Sequence, residues 1–92
     1  MDSGRLQARV TGRVQGVGFR AFTRDAARRL QLSGGVRNGD DGAVYVVAEG
    51  PCEKLDSLVA SLRRGPAAGH VDGVEIVWGA TEGLSGPFEV WR

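Results

Sequence analysis

The sequence predicts an α+β domain in which an antiparallel sheet carries two helices on one face. Three observations predict this class. Segments with alternating apolar residues or many β-branched residues recur along the chain and predict strands. Two other segments repeat apolar residues at helical spacing. Together the predicted elements follow the order strand, helix, strand, strand, helix, strand. Because 92 residues suffice for one modest core, residues 1–92 are expected to form a single domain.

The first two elements are a strand and an amphipathic helix. In RLQARVTGRV, Leu6, Ala8 and Val10 alternate with polar residues, which is typical of a half-buried strand. Beyond the next glycines, apolar residues at three- and four-residue steps predict a helix of about 12 residues. They are Phe19, Phe22, Ala26 and Leu30. The segment Ser33-Gly34-Gly35 is expected to stop this helix.

A hairpin and a second helix are predicted next. A strand opens at Val36, Asn38-Gly39-Asp40-Asp41-Gly42 is a dense turn signal, and residues 44–48 are rich in β-formers. Pro51 suits the first turn of a helix, and Gly65-Pro66 breaks that helix. Its expected apolar stripe consists of Leu55, Leu58, Val59 and Leu62.

The last third predicts two further strands. HVDGVEIVWGATEG, residues 70–83, indicates a fourth strand, and residues 88–91 indicate a short fifth one. The complete order fits the ferredoxin-like split βαβ arrangement with an added terminal strand.

Charge is distributed unevenly along the chain, although the net charge is only +1. Residues 1–37 hold eight arginines against two acids, a balance of +6, and residues 38–92 hold four basic residues against nine acids, a balance of −5. A basic first half favours an anion or a nucleic acid as partner, and a solvated helix face is the alternative for most of these arginines.

Cysteine and histidine usage limits the class further. The lone Cys52 cannot form an internal disulfide, and the polar N-terminus does not resemble a signal peptide. The longest apolar run, residues 44–48, is far too short for a membrane span. A cytoplasmic location without a membrane partner is therefore expected. With His70 the one histidine, neither a metal site nor another cofactor is expected.

The segment VQGVGFR, residues 14–20, is expected to cradle a phosphate-sized anion. A loop that enters a helix N-terminus points unpaired N–H groups outward, and glycines let successive amides turn toward one point. Arg20 adds a planar fork of donors that matches two phosphate oxygens. A tight strand-to-helix turn without a ligand is the alternative. No Lys-Ser or Lys-Thr follows, which excludes a P-loop, and the third glycine of a dinucleotide fingerprint is missing.

VQGVGFR together with VRNGDDG, at this separation, resembles the acylphosphatase signature, and the likeness extends over nearly the whole chain to the PFEV ending. The resemblance implies metal-free, cofactor-free hydrolysis of acyl phosphates on a ferredoxin-like sandwich. It implies that Arg20 and Asn38 are catalytic, with Arg20 on the phosphate and Asn38 holding the attacking water. It also implies a phosphate-binding set of loop amides, from Gln15, Gly16, Val17, Gly18, Phe19 and Arg20.

The resemblance further implies a monomer whose partner is a small acyl phosphate, with inorganic phosphate as product and competitive inhibitor. The chain departs from the family at two positions. Many members have tryptophan where this chain has Gly35, so a packing residue is lost beside the catalytic strand. Many have serine or threonine where this chain has Gly39, so a hydroxyl that would brace Asn38 is lost. Both changes are expected to affect the rate rather than the reaction.

Other classes of protein remain open on the sequence alone. An RNA-binding ferredoxin-like domain shares the element order, but its aromatic consensus belongs on the third strand, where this chain offers only Tyr45. A catalytically idle homologue that only binds anions is a second alternative. A module of a hydrogenase-maturation carbamoyltransferase is a third, and it would need a large C-terminal region beyond Arg92.

Overall fold

The computed structural model describes residues 2–92, which form one five-stranded sheet and two helices. The strands are β1 (Ser3–Arg13), β2 (Ser33–Asn38), β3 (Val44–Pro51), β4 (His70–Gly79) and β5 (Glu89–Val90), and the helices are α1 (Phe19–Arg29) and α2 (Cys52–Arg64). The strand order across the sheet is β4-β1-β3-β2-β5. Because α1 and α2 contact each other and the sheet, both cover the same face. The predicted ferredoxin-like α+β sandwich is confirmed.

The sheet is mixed rather than wholly antiparallel. Strand β1 pairs antiparallel with β3 and β4, and β2 pairs antiparallel with β3. The short β5 runs parallel to β2, with Gly35 beside Glu89 and Val36 beside Val90. These pairings make β4 run opposite to β2. Because the chain reverses direction once after β4, β5 runs parallel to β2.

The core lies between the helices and the sheet. The predicted alternation on β1 is confirmed, because Leu6, Ala8 and Val10 are buried while their neighbours are more exposed. The stripe of α2 is also confirmed, with Leu55, Leu58 and Leu62 fully buried and Val59 partly so. On α1 the buried face includes Thr23 and Ala27, and Phe22 is only partly covered. The opposite face of the sheet, called the open face below, carries no helix.

Helix α1 has about the predicted length, 11 residues, but the expected stop signal is part of β2. Gln31 adopts a left-handed φ of 58°. The Leu32 N–H donates to the Ala27 oxygen at 3.0 Å and the Gln31 N–H to the Arg28 oxygen at 3.0 Å, the two bonds of a Schellman motif. Because these bonds satisfy the last helical carbonyls, Ser33-Gly34-Gly35 is free to pair as a strand.

Residues 80–88 connect the two outer strands, and Glu49 anchors them. The buried carboxylate of Glu49 accepts the N–H groups of Glu82 at 2.9 Å and Leu84 at 3.1 Å, and it also pairs with the Arg5 guanidinium. The Ser33 hydroxyl donates to the Gly86 oxygen at 2.7 Å. These bonds bring the chain to the edge of β2, where β5 completes the sheet.

Candidate active site

A cavity of about 330 Å³ opens where β1 ends, α1 begins and β2 ends. Its walls come from the glycine loop, the first two turns of α1, the last residue of β2 and β5. They are Val14, Gly16, Gly18, Phe19, Arg20, Ala21, Arg24, Asn38 and Val90. The two residues expected to be catalytic, Arg20 and Asn38, therefore lie at one cavity.

The loop takes its shape from two left-handed glycines. Gly16 has a φ of 75° and Gly18 a φ of 80°, a region that residues with a Cβ disfavour. Gly18 immediately precedes the first helical residue, Phe19, and no side chain caps the helix there. The first N–H groups of α1 therefore lack intrahelical partners, and the helix dipole adds partial positive charge at this wall. The combination favours an anion.

Arg20 lies in the first turn of α1 with an exposed side chain. Within residues 2–92, no carboxylate forms an ion pair with it. Its guanidinium donors are thus available to a ligand, and their planar fork fits two phosphate oxygens. Arg24, one helical turn later, lines the same cavity, and its Nε donates to Asp25 Oδ1 at 3.1 Å. The cavity wall is strongly cationic.

Asn38 is the last residue of β2, and its side-chain oxygen is the least satisfied polar group at the site. Its Oδ1 is buried and has no hydrogen-bond partner among residues 2–92. Leaving a buried acceptor unpaired costs about 1–3 kcal/mol, so native structures rarely do so without a functional reason. Because Asn38 also lines the cavity, its carboxamide is a candidate to hydrogen-bond a molecule bound there.

Gln15 and Val17, both expected among the phosphate-binding amides, do not line the cavity. The Gln15 side chain donates through Nε2 to the Gly39 oxygen at 2.8 Å and to the Ala43 oxygen at 2.9 Å. It therefore ties the glycine loop to the turn between β2 and β3. Val17 packs against the hydrophobic core. Phosphate binding by the main-chain amides of these two residues stays a prediction.

Both glycines that depart from the family pattern are overlain by aromatic side chains. A Cβ on Gly35 would collide with the Trp91 ring, so Trp91 fills the space beside this part of β2. A Cβ on Gly39 would collide with the Tyr45 ring and approach Asp41 Oδ1 to 2.7 Å. The expectation that packing is lost at Gly35 is therefore wrong, because Trp91, the residue after β5, supplies it. At Gly39 no hydroxyl replaces the one expected to brace Asn38, since the Asn38 Oδ1 has no hydrogen-bond partner among residues 2–92.

A hydrogen-bonded cluster on the open face holds the turn between β2 and β3. The Tyr45 hydroxyl donates to Asp41 Oδ2 at 2.6 Å, and the Ala43 N–H donates to Asp41 Oδ1 at 3.0 Å. Arg9 Nε donates to Asp41 Oδ2 at 3.1 Å. These three donors, the Tyr45 hydroxyl foremost, lower the pKa of Asp41 to about 2. Asp41 is thus a charged anchor of the turn that follows Asn38.

Sequence reasoning missed Arg24, Val90, Tyr45 and Trp91. Arg24 lies four residues after Arg20, and this helical spacing places both on one face of α1, so the signal was present. Val90 enters the site only because β5 pairs with β2, and no local pattern shows that pairing. The contacts that Tyr45 and Trp91 make with glycines likewise leave no local signal.

A second cavity, of about 400 Å³, lies on the open face of the sheet. It is larger, but it contains neither the glycine loop nor Arg20 nor Asn38. Its walls include Arg37, Tyr45 and Trp91. The smaller cavity is therefore the candidate active site, because the unpaired donors and the unpaired acceptor meet there.

Comparisons with known proteins agree with this geometry. The model of the acylphosphatase family matches residues 6–90. An acylphosphatase of Salinibacter ruber is 53% identical over 74 residues, which are 80% of this chain and 78% of that protein. One of Thermus thermophilus is 51% identical over 82 residues, 89% of this chain and 93% of that protein. The crystal structure of the Bacillus subtilis acylphosphatase superposes with a TM-score of 0.93 at 36% identity, covering 97% of this chain and 99% of that one. The chain therefore belongs to the acylphosphatase family of enzymes.

Two further observations concern the described residues. Neither α1 nor α2 has the length and apolar character that crossing a membrane requires. Within residues 2–92, no three His, Cys, Asp or Glu side chains gather as a metal site would need.

Proposed function

We propose that this chain hydrolyses the carboxyl–phosphate anhydride of acyl phosphates at the 330 Å³ cavity. The observation that carries the proposal is that Asn38, whose buried Oδ1 has no hydrogen-bond partner among residues 2–92, lines the same cavity as Arg20 and the uncapped start of α1. An acceptor without a partner can hold a water molecule, and the cationic wall can hold a phosphoryl group beside it.

Arg20 and the amides of residues 15–20 bind the phosphoryl oxygens. The guanidinium contacts two oxygens at once, and the N–H groups of the loop and first helical turn contact the others. Inorganic phosphate, the product, uses the same contacts and therefore competes with substrate. All the proposed groups come from one chain, so this chemistry uses no group from a second subunit.

Asn38 orients the attacking water. Its Oδ1 accepts a hydrogen bond from the water, which fixes a lone pair of the water oxygen toward phosphorus. The water oxygen forms a bond to phosphorus, the bond between phosphorus and the acyl oxygen breaks, and the carboxylate leaves with that electron pair. One proton of the attacking water passes to an oxygen of the transferred phosphoryl group, so the products are the carboxylate and dihydrogen phosphate. Because a carboxylate is a stable leaving group, no strong general acid is required, and charge stabilisation with positioning suffices.

The open face of the sheet argues against the RNA-binding alternative. Such domains stack bases on aromatic side chains that stand free on the first and third strands. On β1 this face presents Arg5, Gln7 and Arg9, none of them aromatic. On β3 the Tyr45 ring is covered by Arg37, whose Cζ lies 4.6 Å from the ring centroid.

Hydrolysis of benzoyl phosphate in the presence of EDTA, followed by ultraviolet absorbance, tests the proposal. Wild type is expected to turn over, Arg20→Ala to lose turnover and phosphate binding, and Asn38→Ala to fold and bind phosphate while losing all but a small, measurable residue of turnover. A folded wild type that binds phosphate but does not turn over would overturn hydrolysis and favour the idle homologue. If Asn38→Ala were no longer inhibited by phosphate, Asn38 would bind phosphate rather than hold water.

A further inference from the structure

Gly39, the residue after Asn38, is backed by an aromatic ring. The Tyr45 side chain occupies the space into which a Cβ at position 39 would project. Tyr45 lies on β3 directly opposite Arg37, the residue before Asn38, so it is level with the end of β2. The ring thus contacts the turn at the residue that follows Asn38.

The Tyr45 ring is itself held in place from two directions. Arg37 lies over it, with Cζ 4.6 Å from the ring centroid, a cation–π distance. The hydroxyl donates to Asp41 Oδ2 at 2.6 Å and accepts from Arg9 Nε at 3.2 Å. A ring with both its face and its hydroxyl occupied has little rotamer freedom, so it can define the position of the backbone it contacts.

The turn is held on its other side by the glycine loop. Gln15 donates to the oxygens of Gly39 at 2.8 Å and Ala43 at 2.9 Å, and the Gly39 N–H donates to the Ala43 oxygen at 2.8 Å. Residue 39 is therefore fixed between Gln15 and the Tyr45 ring. Because Gly39 has no side chain, its lateral position depends on these outside contacts.

We infer that Tyr45 is a positioning residue for Asn38: its ring, pinned by Arg37 and Asp41, replaces a side chain at position 39 and sets where the Asn38 carboxamide points. The inference rests on the proposed function, in which Asn38 orients water. Tyr45 lines the open-face cavity, whose walls include neither Arg20 nor the glycine loop. Loss of the ring should therefore lower kcat and leave phosphate binding intact, because a small misplacement of an orienting group acts on the chemical step.

A double-mutant cycle with Asn38 tests the inference. Tyr45→Ala is expected to lower kcat on benzoyl phosphate about 10- to 100-fold, with the inhibition constant of inorganic phosphate unchanged. Tyr45→Phe keeps the ring, so its kcat should fall less than that of Tyr45→Ala. In the Asn38→Ala background, Tyr45→Ala should cause no further loss, because the group it positions is gone. Val77→Ala, on an exposed open-face residue of β4 that is 65% accessible, is the control and should keep wild-type kcat.

A second pair of variants tests the occupied space directly. Gly39→Ala should lower kcat in wild type, where its Cβ meets the ring, and lower it less in Tyr45→Ala, where only Asp41 Oδ1 remains close to the added Cβ. The Asn38 side-chain amide signal in a 1H–15N NMR spectrum should shift or broaden in Tyr45→Ala and stay in place in Val77→Ala, a readout that general destabilisation would not confine to one residue.

The outcomes separate this inference from the proposed function. An inactive wild type, or an Asn38→Ala variant with full turnover, refutes the proposed function itself. If Asn38→Ala loses most of its turnover while Tyr45→Ala keeps kcat, the positioning role alone is refuted. The positioning role is also refuted if Tyr45→Ala weakens phosphate binding as much as it lowers kcat. The same holds if Tyr45→Ala lowers kcat by the same factor in wild type and in the Asn38→Ala background. Unchanged kcat in Gly39→Ala refutes the steric argument.

Discussion

The two pairs of glycines at the site are required for opposite reasons. Gly16 and Gly18 have φ values of 75° and 80°, and a Cβ on either would meet no atom within 4 Å. Gly35 and Gly39 lie outside the positive-φ region, but a Cβ on either would collide with an aromatic ring. Backbone conformation thus specifies the glycine loop, whereas side-chain packing specifies the strand and turn around Asn38.

The difference predicts how each region responds to mutation. A conformational requirement belongs to a single residue, so no second substitution relieves it. A packing requirement is shared by two residues, so truncating the partner removes the conflict.

Arg20→Lys is expected to have the largest effect, nearly as large as that of Arg20→Ala. An ammonium is a point charge and cannot reproduce the two parallel bonds of the guanidinium fork. Loss of one such transition-state donor costs on the order of 10²–10³ in rate, about 3–4 kcal/mol. The comparison of kcat/KM for wild type and the two variants on benzoyl phosphate measures this. Near-normal turnover by Arg20→Lys would show that the loop supplies the anion contacts without a bidentate arginine.

Gly35→Ala should destabilise the fold by about 1–3 kcal/mol, because its Cβ overpacks against Trp91. The same substitution in a Trp91→Ala background should cost much less, since the colliding ring is gone. Urea unfolding of the four proteins in this cycle gives the coupling between the two positions. If Gly35→Ala lowered the free energy of unfolding equally in both backgrounds, packing against Trp91 would not be the reason for a glycine at position 35. The proposed difference between this strand and the glycine loop would then be wrong.

Gly18→Ala should destabilise the fold by about 1–2 kcal/mol through left-handed backbone strain alone. No neighbouring atom lies within 4 Å of the added Cβ, so the space is already open and no truncation can relieve the cost. Gly18→Asn is the matched variant, because asparagine tolerates this conformation better than alanine. Urea unfolding without phosphate should rank wild type above Gly18→Asn and Gly18→Ala last. The reverse order for the two variants would contradict a conformational cause.

The smallest expected effect is a pH dependence in the packed region, where Asp41 anchors the turn. Its pKa is lowered from 3.8 to about 2 in the folded protein. The carboxylate therefore stabilises the fold above pH 3.8, and this contribution is lost as the pH falls from there toward 2. The gap in urea midpoint between wild type and Asp41→Asn should narrow over that range. A gap that does not change with pH would show that the charge of Asp41 is not what holds the turn.

The fold could be predicted from local patterns wherever one face of an element is buried. The alternation on β1 and the leucine stripe of α2 depend on burial against a single neighbouring layer, and both were found. The stop signal of α1 was assigned to the wrong residues because Gln31, not a glycine, takes the left-handed position, an uncommon choice for a residue with a Cβ. The parallel direction of β5 depends on the route of residues 80–88, which local patterning does not encode.

The candidate site also has one part that local sequence patterns predict and one part that they do not. The loop and Arg20 were predictable because the glycines, the helix start and the arginine are adjacent in sequence, so local chemistry suffices. The packing beside Asn38 was not predictable, because Trp91 meets Gly35, 56 residues away, and Tyr45 meets Gly39, six residues away. Taken one position at a time, Gly35 and Gly39 look like losses. Only the tertiary contacts show that other residues fill both spaces.

The ring of Trp91 over Gly35 also constrains the routes by which such a sequence can evolve. The Trp91 ring occupies the space that a side chain at position 35 would enter, so a tryptophan introduced at position 35 would have to displace it. A chain that carries both rings overfills this space, and a chain that carries neither leaves a partly buried surface uncovered. Each of these intermediates is expected to be less stable than a chain with one ring, so positions 35 and 91 are expected to change together.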